Sequence, residues 1–239
     1  MNRWKIRLVS FSITLSVAFT LLGLASSPAY AWTHELNNWD NNHNDFLCGK
    51  SSSSPCLYWA QPSNTSITLH AYFDPSLQSA PGSYDFTVAI NRAFGDWNAQ
   101  KAWNPYLNSC GSSTSCHSGA DVTYTMADLG YGNYGLTDLE FFGTVLWNSR
   151  NGFWYAAFYY VPVYFNTEIT WNNSLQFSDT TADGRKVSTH ETGHLLGLGH
   201  TGHSPAIMQQ GKVSFYSVQA DDLNGLQNVY PGYYPGSTQ

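Results

Sequence analysis

His190-Glu191-Thr192-Gly193-His194-Leu195-Leu196-Gly197-Leu198-Gly199-His200 is the stretch on which the reading of this chain turns. An α-helix advances about 100° per residue, so His190 and His194 lie about 40° apart on a common face, one turn from each other. Two imidazoles placed in this way reach one metal ion from the same side. Glu191 points about 100° round the helix, close enough to meet a water on that ion but badly placed to bind the ion itself. A third ligand further along a straight helix would point away from the metal. Gly197 lets the chain leave the helix through a left-handed residue, which glycine adopts without a Cβ penalty. The chain can then bring His200 back to the ion. Three neutral imidazoles leave a fourth position for water, as at a catalytic rather than a structural zinc. Scattered core or surface histidines are the plain alternative, and the separate geometric reason behind each position argues against it.

The chain opens with Arg3, Lys5 and Arg7, runs through a largely apolar stretch from Leu8 to Leu24, and reaches Ala29-Tyr30-Ala31. This is the layout of a secretory signal peptide over residues 1–31, with cleavage expected after Ala31. A membrane anchor is the rival, but Ser10, Ser12, Thr14, Ser16 and Thr20 dilute the run and no second apolar stretch follows. The whole chain carries 10 basic and 16 acidic side chains, and residues 1–31 hold three of the basic ones, so the mature charge is 7 − 16 = −9. That balance argues against nucleic acid or an anionic membrane as partner. A secreted, extracellular monomer without a membrane anchor is expected. The remaining length suffices for one domain with a full core.

Four cysteines suit an oxidising compartment. Cys48 with Cys56 and Cys110 with Cys116 is the simplest of three connectivities, and the absence of C-x-x-C spacing disfavours metal ligation. Aromatic residues make up 16% of the chain against 11% charged, so a sugar-binding aromatic face stays open as a use for them.

Residues 32–60 are polar and broken, which predicts an irregular amino-terminal arm before one domain over 61–239. Ile67, Leu69 and Ala71 alternate with Thr68, His70 and Tyr72 as in a strand. Phe86, Ala89, Ile90, Ala93, Phe94 and Trp97 recur at helical steps. A short strand is expected over Ala120 to Thr125, then a glycine-rich loop from Gly130 to Gly135. Asp128, Asp138 and Glu140 around that loop are candidates for calcium, and His117 with Asp121 for a second metal. Thr144 to Asn166 predicts two or three strands, divided near Asn151-Gly152, a hairpin signal. Thr181 or Asp183 would cap the metal helix. Ala220, Leu223, Leu226 and Val229 predict a last helix over roughly Val218 to Tyr230. The order of elements gives an α/β fold with a mixed sheet.

Taken together, these stretches resemble the metzincin zinc metalloproteases, and most of all the matrixins. His190 to His200 carries every fixed residue of the zinc motif, and Ala206-Ile207-Met208 is similar to the Met-turn. Asp221 to Tyr230 resembles the matrixin carboxy-terminal helix, D-D-I-x-G-I-Q-x-L-Y; Ala89 to Trp97 is similar to the first helix, and Ala120-Asp121-Val122 to the start of the third strand. The resemblance implies a twisted mixed five-stranded sheet with an active-site helix, a Met-turn and a C-terminal helix. It implies a zinc endopeptidase acting on extended protein substrates, with His190, His194 and His200 as ligands, Glu191 as catalytic base, and Met208 and Gly197 supporting the site. The peptide would pair with a strand edge between Thr144 and Tyr160, and a specificity pocket would lie between the metal helix and Gln209 to Tyr216. Thr201 stands where matrixins carry serine, and the latency motif P-R-C-G-x-P-D is not present, so latency of that kind is not expected. The rival functions are a catalytically weak zinc-binding adhesion protein and a carbohydrate- or wall-binding protein.

Overall fold

The computed structural model describes residues 3–7, 56–59, 67–100, 105–148, 153–202, 204–211 and 213–230. The expected cleavage site, most of the amino-terminal arm, Cys48, His203 and the Asn151-Gly152 turn lie outside the described residues.

The strands are β1 (Arg3–Arg7), β2 (Cys56–Tyr58), β3 (Thr68–Phe73), β4 (Tyr106–Gly111), β5 (Val122–Ala127), β6 (Gly135–Asn148), β7 (Phe153–Asn166), β8 (Thr170–Asn172) and β9 (Thr181–Asp183). The helices are α1 (Phe86–Asn98), α2 (Thr114–Gly119), α3 (Gly184–Leu195) and α4 (Ala220–Val229). A sheet in the order β4-β3-β5-β7-β6 supplies the five-stranded body, parallel except for β6 against β7. Two short strands extend it: β1 lies antiparallel on the outer edge of β6, and β2 pairs in parallel with β7. Parallel neighbours need crossovers, and α1 with α2 provides those between β3, β4 and β5.

Along β3, Leu69, Ala71 and Phe73 turn inward, the alternation read from the sequence. Helix α1 starts at Asp85, whose carboxylate accepts the N–H of Thr87 at 2.9 Å. Its buried side chains are Phe86, Ala89, Ile90, Ala93, Phe94 and Trp97, the six that the periodicity picks out. They meet the sheet through aromatic contacts, with Phe86 stacked on Phe165 at 4.0 Å and edge-on to Trp171 at 4.7 Å. Much of the aromatic content therefore builds the core. Among the described residues the exposed large apolar side chains are Val88, Tyr106 and Tyr131.

At the end of the amino-terminal arm, Leu57 and Trp59 are buried in the same core. The Trp59 indole N–H donates to Leu195 O at 2.9 Å and so ties this segment to the end of α3. Cys110 and Cys116 form the expected local disulfide, with Cα atoms 5.6 Å apart. Among the described residues no helix is long and apolar enough to cross a membrane.

Candidate metal centre

Helix α3 is enclosed along almost its whole length; every residue from Gly184 to Leu195 is buried except Arg185. Its start is fixed by Asp183, whose Oδ1 accepts the Lys186 N–H at 2.8 Å, the second of the two caps anticipated. The Trp97 indole donates to Thr189 O at 2.9 Å and locks α1 against it. Gly193 faces Met208, and a Cβ there would collide with the Met208 sulfur. Met208, fully buried, thus lies directly beneath the metal helix.

The helix ends as the sequence predicts. Gly197 has φ 94°, the left-handed region. Leu198 N–H returns to Gly193 O at 3.0 Å and Gly197 N–H to His194 O at 2.9 Å, the double bond pattern of a Schellman cap. The chain reverses there and brings His200 beneath the helix. His200 Nε2 lies 3.0 Å from His190 Nε2 and 3.1 Å from His194 Nε2.

Two backbone carbonyls set the tautomers. His190 Nδ1 donates to Ile207 O and His194 Nδ1 to Leu198 O, each at 2.8 Å. With their protons on Nδ1, both rings turn a bare Nε2 lone pair toward His200. A single N–H on His200 could satisfy one of those lone pairs, whereas one divalent cation satisfies all three. Zinc–nitrogen bonds of about 2.0–2.1 Å at tetrahedral angles place ligand nitrogens about 3.3 Å apart, close to the separations found. The donor set fits zinc.

Glu191 projects from α3 toward the start of β6, where Thr137 Oγ1 lies 2.7 Å from its Oε2. Burial pushes its carboxyl up to about 7, while the Thr137 hydroxyl and the Lys186 cation pull it back. Lys186, one turn before His190 and 5% exposed, is lowered to about 8 by burial, against the attraction of Glu191, Asp183 and Asp222. No ion pair closes on its ammonium among the described residues; the Phe177 ring lies 6.0 Å from it.

The Met-turn is held from α4. Asp222 accepts Ile207 N–H at 2.8 Å and Met208 N–H at 3.0 Å. The Asp222 contact was invisible to spacing, because 14 and 15 residues separate its partners from it.

With the triad, its glycine cap and the buried methionine in place, the chain can be set beside known proteins. The matrixin family profile matches residues 76–231. The chain belongs to the matrixin family. Over 50 residues this matrixin is 42% identical to matrix metalloproteinase-27 of Homo sapiens, a match covering 19% of the chain and 10% of that protein. Over 56 residues it is 41% identical to metalloendoproteinase 5-MMP of Arabidopsis thaliana, covering 22% of the chain and 16% of that protein. The matched part thus spans only a small share of each relative's length.

The remaining site expectations separate in this matrixin. Among the described residues, the one group of three or more potential ligands that could share a metal is His190, His194 and His200. Asp128, Asp138 and Glu140 do not join in such a group: Asp128 accepts Gly130 N–H at 2.8 Å, and Glu140 accepts the Tyr159 hydroxyl at 2.5 Å. His117 rests on the Tyr72 ring at 4.4 Å, and Asp121 accepts the His70 backbone N–H at 2.9 Å. β7 lies inside the sheet, and the start of β6 meets Glu191 through Thr137. The segment after the Met-turn does return to α3: the Arg185 guanidinium sits 4.7 Å over the Tyr216 ring, and the Tyr216 hydroxyl donates to Asp183 at 3.2 Å.

Proposed function

We propose that this matrixin is a secreted, zinc-dependent endopeptidase that cleaves extended segments of extracellular proteins. The observation that carries the reading is the convergence of three imidazole Nε2 atoms beside one buried carboxylate at a sheet edge. His190, His194 and His200 would hold the metal, with Met208 and Gly197 keeping them in place. When bound, zinc supplies Lewis acidity that activates water and polarises the scissile carbonyl. Glu191 takes the proton from the attacking water and delivers it to the leaving amine.

Substrate binds as an added strand along the outer edge of β6. Support comes from β1, which already pairs antiparallel there, Arg7 opposite Asp138 and Arg3 opposite Phe142. Removal of residues 1–31 as a signal peptide would clear that edge. Secretion rests on the layout of the leader, and the acidic mature chain suits neither nucleic acid nor an anionic surface as partner.

Casein or gelatin hydrolysis by the zinc-loaded mature chain tests the proposal. Cleavage is expected to stop with o-phenanthroline and to be absent from Glu191→Ala while zinc remains bound. A protein that keeps its zinc, cleaves nothing and is retained on insoluble glycans would instead be a binding module.

A further inference from the structure

Glu191 is held by one strand, and two residues of that strand meet it in opposite ways. At Thr137, 1% exposed, the hydroxyl lies 2.7 Å from Glu191 Oε2 and 3.1 Å from Glu191 O. At Gly135, two positions earlier on the same strand, a Cβ would lie 2.7 Å from Glu191 Oε1, 2.8 Å from Cγ and 2.9 Å from Cδ. Gly135 is not among the residues with positive φ, so its backbone does not require glycine. What requires it is the room taken by the glutamate side chain. Threonine at 137 satisfies strand propensity, but valine would do so equally well and fill the same space. Its buried hydroxyl needs a partner, and the partner is the carboxylate. The strand itself is fixed from behind, with Gly135 opposite Phe165 and Thr137 opposite Val163 on β7.

We infer that Thr137 and Gly135 are positioning residues for Glu191: Thr137 anchors Oε2, Gly135 clears the space beside Oε1, and Oε1 is the oxygen that carries the proton. Oε1 has no hydrogen-bond partner among the described residues, which leaves it free to take up a proton. A buried carboxylate on a flexible ethylene stem otherwise has several rotamers, and the two β6 contacts select one. The inference rests on the proposed role of Glu191 as base.

Four zinc-loaded proteins decide it: wild type, Thr137→Val, Thr137→Ser and Gly135→Ala, each examined by peptide kinetics, zinc stoichiometry and crystal structure. Thr137→Val is expected to lose about 10- to 100-fold in kcat, since displacement of a reacting group by about 1 Å costs on this scale. KM should stay within about twofold and one zinc should remain, because the side chain at 137 is buried against Glu191 and the substitution leaves the β6 backbone in place. Thr137→Ser should restore most of the rate. Gly135→Ala should lower kcat with zinc retained, and its crystal structure should show the Glu191 carboxylate swung off β6. Near wild-type kcat in Thr137→Val, or an unmoved carboxylate in the valine and alanine variants, would overturn the inference. If the wild type proves inactive, the endopeptidase proposal fails, and the crystal structures still decide the carboxylate's anchoring.

Discussion

The Oδ2 oxygen of Asp222 accepts the backbone N–H of Ile207 at 2.8 Å, and so positions a histidine it never touches. The carbonyl of that same Ile207 receives His190 Nδ1, so α4, the Met-turn and the first histidine of the triad form one chain of hydrogen bonds. Asp222 also takes the N–H groups of Met208 and Gln219, and these three donors counter the upward push of burial on its pKa. Asp222→Ala would leave all three unpaired. A loss of about 3 kcal/mol in stability is expected, with about tenfold weaker zinc binding through the freed His190 ring. Zinc affinity by competition with a chromogenic chelator checks the second effect; unchanged affinity with lowered stability would cut the link from Asp222 to the metal.

Gly197 joins two demands at one residue. Its φ is 94°, and a Cβ there would run into the carbonyl oxygen of Leu57. Gly197→Ala therefore combines backbone strain with a clash against β2, for a cost of about 2–4 kcal/mol. In a chain of this size that lowers the melting temperature by about 5–15 °C. Differential scanning calorimetry of the zinc-free protein isolates this from metal loss; an unchanged melting temperature would mean that the cap relaxes.

Lys186 is a buried cation without an ion-pair partner among the described residues, and its pKa falls from 10.5 to about 8. The unfolded chain therefore binds more protons than the folded one between about pH 8 and 10.5, so this group makes stability rise with pH across that window. Below pH 8 the full penalty remains. Lys186→Met should stabilise the zinc-free protein by about 1–3 kcal/mol at pH 7. Urea melts at pH 7 and pH 10 should show that advantage shrinking at the higher pH; an advantage independent of pH would point to packing rather than charge.

The parts of the fold that follow from local pattern were legible in the sequence. The histidine triad and its glycine cap occupy eleven consecutive residues, and the inward face of α1 repeats at helical steps. Strand β4 was not legible, because only Leu107 along it is buried and Tyr106, Asn108, Ser109, Cys110 and Gly111 show no inward alternation. Strand β6 starts at Gly135, inside what composition marks as a loop, because its glycine answers to Glu191 rather than to a turn. Thr137 and Asp222 escaped for a common reason. Each acts across the fold, at separations of 54 and 14–15 residues, where spacing carries no signal.

An anomalous difference map at the zinc absorption edge, from crystals of the purified protein, bears most directly on the three-histidine centre. One peak is expected, about 2.0–2.1 Å from each Nε2 of His190, His194 and His200. No peak there in protein grown with zinc, or a peak bound by fewer than these three nitrogens, would contradict the account.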